Sequence, residues 1–118
     1  MPRELYLRHD SAEVCYAVGR VFNGPNLGLW GNFTTGALEV FQAANWADYA
    51  IPLAELGVTG WYETDMPQLF SGERAVMMMF YEQAGANPDV AVDDDITVGI
   101  LEMMDEWIPS LALGLLLL

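Results

Sequence analysis

The sequence predicts an α+β domain, with a small sheet and helices in the first half and a helical second half. Three observations point there. Glu4-Leu5-Tyr6-Leu7-Arg8 alternates polar and apolar residues, as a half-buried strand does. Gly and Asn punctuate residues 23–36, which suits turns between short strands. After Met66 the apolar residues recur at helical spacing. At 118 residues the chain fits a single acidic domain spanning 1–118, with sub-lobes 1–60 of mixed strand and helix and 61–118 of helix. A chain of this size buries roughly 65% of its unfolded surface. Its hydrophobic fraction of 53% separates it from disordered acidic chains.

The elements follow in order. Glu4–Arg8 is the first strand. Asp10 and Glu13 read D-x-x-E, close to a capping box, and Val14, Ala17, Val18, Val21 and Phe22 continue at helical spacing. A strand over Val14–Val18 is the alternative, because β-branched and aromatic residues are dense there. Asn23-Gly24-Pro25 stops that element. Thr35 then caps a helix in which Leu38, Phe41 and Gln42 lead towards Trp46. Tyr49–Ile51 reads as a strand ended by Pro52. Leu53–Leu56 reads as a short turn or helix, and Val58–Tyr62 as another strand. In the second half Ser71 or Gly72 starts a helix with Val76, Met77, Phe80 and Tyr81 on one face. Asp93-Asp94-Asp95 opens a last helix, where carboxylates favour the positive end of the dipole. Ile96, Ile100, Met103, Met104 and Trp107 form its apolar face. Met77, Met78, Met79, Met103 and Met104 read as core filling rather than as an adaptable binding surface.

Charge bounds the function. The chain carries 17 Asp and Glu against four Arg, with no Lys, for a net charge of −13. Residues 1–59 hold three Arg and six acids; residues 60–118 hold one Arg and eleven acids. Four scattered Arg cannot neutralise a run of phosphates, so direct nucleic-acid binding is excluded. Without Lys there is no phosphate-binding loop of the G-x-x-x-x-G-K-[ST] type, and Gly24, Gly28 and Gly31 do not match a dinucleotide fingerprint. His9 and Cys15 are the only residues of their kinds, and adjacency of His9 to Asp10 and Ser11 is not a catalytic geometry. A calcium loop starting at Asp93 needs Gly and Glu where the chain has Val98 and Met104. The expectation is a protein without catalytic residues, cofactor or dedicated metal site.

A lone Cys excludes an internal disulfide. Met1–Arg8 lacks the apolar core of a signal peptide, which predicts a cytoplasmic location in the host cell. The Leu-rich end, Leu111–Leu118, is too short and too interrupted for a membrane span, which takes about 20 apolar residues. It reads as a segment that packs on the core or joins copies of the chain in a homo-oligomer.

What remains is the acidic surface. On a last helix Asp95, Glu102 and Glu106 fall on one side with Asp105 beside them, at axial spacings of about 10 Å and 6 Å. No cation follows Arg74. Asp89, Asp93, Asp94, Asp95, Glu102, Asp105 and Glu106 are therefore the candidate partner-binding residues, and a basic nucleic-acid-binding protein or complex is the candidate partner.

Leu27-Gly28-Leu29-Trp30, preceded by Phe22-Asn23-Gly24, and Asp48-Tyr49-Ala50-Ile51 with Glu55-Leu56 resemble elements of the ArdA-type antirestriction proteins. That resemblance covers about a third of the chain. It implies an acidic protein of a mobile element that mimics DNA and inhibits a host nuclease, with the acids rather than the motif residues making contact. The function expected is a non-enzymatic inhibitor of a restriction or CRISPR complex. The alternatives are an assembly protein joined through its apolar C-terminus and an immunity protein against a basic toxin.

Overall fold

The computed structural model describes residues 4–65, 67–89 and 95–104. Within them the chain forms strands β1 (Glu4–Arg8), β2 (Cys15–Asn23), β3 (Trp30–Asn32) and β4 (Ala37–Glu39), then one turn of helix α1 (Trp46–Tyr49). Strands β5 (Ile51–Pro52), β6 (Ala54–Glu55), β7 (Trp61–Asp65), β8 (Ala75–Glu82) and β9 (Ile96–Met104) follow. Every pairing is antiparallel. One sheet has the order β1-β7-β6; the other runs β4-β3-β2-β8-β9, and β5 joins it beside the first half of β2.

The fold is therefore mostly β, and the expected α+β arrangement with a helical second half is wrong. The physical reason lies in spacing and in burial. Val76 and Phe80 are four apart, an even number that puts them on one face of a strand as readily as of a helix. Strand β8 pairs with β2 from Cys15↔Glu82 to Asn23↔Ala75 and with β9 from Glu82↔Ile96 to Ala75↔Met104. Both faces of β2 and β8 are covered, so both are apolar, and the alternation that identifies a half-buried strand disappears. The same correction applies to the helix expected through Val14–Phe22, where the strand alternative holds as β2 from Cys15 to Asn23, and to Thr35–Gln42, where β4 stands in place of a capped helix. Asp10–Glu13 makes a turn with Ala12 at a φ of 67° instead of a capping box. Trp107 and the Leu-rich segment 111–118 lie outside the described residues.

Two cores result. Cys15, Ala17 and Val21 of β2 and Val76, Met78 and Phe80 of β8 face Leu5, Leu7 and Tyr62 of the smaller sheet, making a two-layer sandwich. On the opposite face of the larger sheet Tyr16 and Val18 pack beneath Trp46 and Tyr49, with Trp30, Met79 and Tyr81 around them. Tyr16 stacks on Tyr81 at 5.4 Å, and Trp46 meets Tyr81 edge-on at 5.2 Å. Phe70, at the end of a short 3-10 turn (Gln68–Phe70), lies against Gly19 and Gly31 on neighbouring strands. A Cβ at either glycine would collide with its ring.

Candidate functional site

Among the described residues the buried acid is Asp95, at 8% exposure. It precedes β9 and points inward, where its Oδ2 accepts the Tyr16 hydroxyl at 2.6 Å and the Asp89 amide at 2.8 Å. Its Oδ1 accepts the Ala84 amide at 2.8 Å. Tyr16 in turn accepts the Trp46 indole N–H at 2.9 Å. Burial, and then the hydrogen bond to Asp95, push the Tyr16 hydroxyl well above the ordinary tyrosine range. This chain of groups ties the β8–β9 connection to the aromatic core over α1. Asp95 is thus withdrawn from the acidic surface assigned to it by the sequence.

The other expected contact residues divide. Asp89 is half-buried; its amide donates to the Asp95 carboxylate and its carbonyl accepts the Asp95 amide. Glu102 is exposed on β9. Asp93, Asp94, Asp105 and Glu106 lie outside the described residues. Because β9 is a strand, the helical face that would align Asp95, Glu102 and Glu106 does not exist.

His9, Glu82 and Cys15 come together without having been read as a group. Cys15 and Glu82 are register partners, and His9 Nε2 lies 2.6 Å from Glu82 Oε1. The field is wrong for a nucleophile. Burial, followed by the charges of Glu82, Glu13 and Glu55, pushes the Cys15 thiol up to about 11. A reactive cysteine needs the opposite surroundings.

Two surface carboxylates act as internal acceptors. Glu39 accepts Asn45 Nδ2 at 2.8 Å, Tyr49 Oη at 2.7 Å and Asn32 Nδ2 at 2.9 Å. Glu55 accepts the amides of Ala12 and Gly60, both at 2.9 Å. Hydrogen bonds from Asn45 and Tyr49 hold the Glu39 carboxyl below the usual range. Those from the Ser11 hydroxyl and the two amides do the same for Glu55. Asp10, Glu13, Glu63, Asp65 and Glu102 make no such side-chain bonds among the described residues, and their charge is left to the solvent.

Glu63 and Asp65 stand out among these because of their neighbours. Tyr62 faces the core, so Trp61, Glu63 and Asp65 share the outward face of β7. Tyr6 of β1 is opposite Glu63, and Arg8 is opposite Trp61. Tyr6 and Trp61 are 49% and 43% exposed, and the Arg8 guanidinium sits 5.2 Å from the centre of the Trp61 ring. The signal for this face was present in the i, i+2 spacing of Trp61, Glu63 and Asp65, but the strand expected at Val58–Tyr62 stopped short of it.

Among the described residues no cluster of three or more His, Cys, Asp or Glu side chains is arranged to hold a metal ion, and no helix is long and apolar enough to cross a membrane. No family model matches the chain, and no curated protein or solved structure matches it at a significant level.

Proposed function

We propose that the protein is a non-enzymatic acidic inhibitor that presents its surface carboxylates to the nucleic-acid-binding cleft of a basic host defence complex, of the restriction or CRISPR kind. The observation that carries this reading is the placement of the charge. Among the described acids whose side chains are described, Asp95 alone is buried, so the others contribute to an external field. Such a field attracts a basic cleft over a Debye length of about 8 Å at physiological salt and is lost as salt rises. The motif residues Tyr49 and Ile51 belong to the core, which leaves the acids as the contact groups.

The test is a pull-down from host lysate at low salt, eluted with a salt gradient and challenged with duplex DNA. Recovery of a nucleic-acid-binding complex that DNA displaces supports the reading. Capture that DNA does not compete overturns it. Neutralising Asp10, Glu63, Asp65 and Glu102 together should weaken capture far more than any one change, because a diffuse field is shared.

A second reading, an assembly protein, is favoured by β9. It is the outermost strand of its sheet among the described residues, and Ile96, Ile100 and Leu101 are exposed along it. Exposed apolar edge strands pair with other chains unless blunted. Light scattering decides: a monomer at high concentration removes this reading.

A further inference from the structure

We propose that the outward face of β7 and the groove beside it form the docking site for an arginine carried on an extended basic segment of the partner, a localisation that rests on the electrostatic reading above. Glu63 and Asp65 are alternate residues of one strand, so their carboxylates project from the same side about 7 Å apart. Neither makes a side-chain hydrogen bond or ion pair among the described residues. The outer face of an antiparallel sheet is ordinarily polar, yet here Trp61 and Tyr6 flank the carboxylates. Exposed Trp and Tyr are the residues that most often carry binding energy in protein interfaces. Arg8 of the chain itself stands over the Trp61 ring, so an incoming guanidinium pairs with the carboxylates and packs beside these rings rather than taking Arg8's place.

The groove adds room and backbone. Strand β6 pairs with β7 only at Ala54↔Glu63 and Glu55↔Tyr62, while β7 continues to Asp65. On that side Thr64 and Asp65 have no strand partner among the described residues. A groove of about 270 Å³ opens there, lined by Pro52, Ala54, Glu63, Thr64 and Asp65. An extended segment can add its backbone to this edge. Charge complementarity identifies the occupant as basic, since a second copy would set carboxylate against carboxylate. Arginine fits better than lysine because its planar fork pairs with carboxylates and stacks on aromatic faces.

The full chain, labelled with nitrogen-15, is titrated at low salt with a nona-arginine peptide and with nona-lysine. Amide shifts concentrated at 52–55 and 61–65, with the arginine peptide bound more tightly, are expected. The double variant Glu63→Gln/Asp65→Asn should weaken arginine-peptide binding by about tenfold or more. Asp10→Asn/Glu102→Gln, with the same charge loss, should weaken it by less than about threefold. Ala54→Leu, which fills the groove from its other wall, should act like the first variant without altering charge. Equal weakening by both double variants, or shifts spread over all the acids, overturns the docking site while leaving the surface-charge reading in place. A wild-type chain that binds neither peptide overturns both.

Discussion

Tyr16 occupies a position where two packing layers meet through one hydroxyl. It donates to Asp95 and accepts from Trp46, so removing it leaves a buried carboxylate one donor short and a buried indole N–H without an acceptor. Tyr16→Phe should therefore cost about 2–4 kcal/mol, more than the loss of one ordinary hydrogen bond. Urea denaturation measures this, and a cost below about 0.5 kcal/mol would remove Tyr16 from the role given to it. Titration gives a second prediction. Glu39 and Glu55 have folded-state pKa values below their ordinary 4.5, so the unfolded chain binds more protons as the pH falls. Their contribution is present above about pH 4.5 and lost below it. At the alkaline end the sign reverses. Cys15 moves from 9.0 to about 11, so above pH 9 the folded chain holds the proton longer, and stability declines through that window. Cys15→Ala should flatten the decline between pH 9 and 10, and denaturation midpoints across that range check it.

At the scale of elements, Phe70 joins the β7–β8 connection to two strands through glycines. Gly19→Ala places a methyl group where the ring lies, which costs about 1–3 kcal/mol by overpacking. Phe70→Ala empties a buried site and costs about 3–5 kcal/mol. In the Phe70→Ala background the added methyl has space, so Gly19→Ala should cost much less there. A double-mutant cycle reads the coupling; additive costs would mean that the ring is not wedged against Gly19. The same strands explain what could be read in advance. Strand β1 was legible because one of its faces meets the core and the other meets water, so Leu5 and Leu7 alternate with exposed residues. Strands β2 and β8 were not, because Tyr16 and Met79 are packed as well as Cys15 and Met78, and a strand apolar on both faces carries no period of two. Five Met in β8 and β9 added helix propensity that pairing with neighbouring strands overrode. For the candidate site, the excess of acids was legible from composition. Which of them are internal acceptors was not, since Glu39 and Glu55 take that role from hydrogen-bond donors distant in the chain or brought round by turns.

Over the whole molecule, the net charge of −13 acts on folding and on binding with opposite signs. Within the chain the exposed carboxylates repel one another, and this destabilises the compact state. Towards a basic partner the same charges attract. Salt screens both, since the Debye length shrinks from about 30 Å at 0.01 M to about 3 Å at 1 M. Raising sodium chloride from about 0.01 M to 0.5 M should therefore raise the melting temperature while it weakens capture of the partner. Relief of even about 1 kcal/mol of repulsion should raise the midpoint by about 4–8 °C, which differential scanning calorimetry resolves. Sodium sulfate is a poor choice of salt, because it also strengthens apolar burial and would raise the midpoint for a different reason. Neutralising Asp10, Glu63, Asp65 and Glu102 provides the internal comparison. That variant should melt higher than the parent at low salt and converge with it at high salt, since screening leaves little repulsion to remove. A parent chain whose midpoint ignores salt would show that its carboxylates are too dispersed to repel, and carboxylates that dispersed would also make a weak lure for a basic cleft.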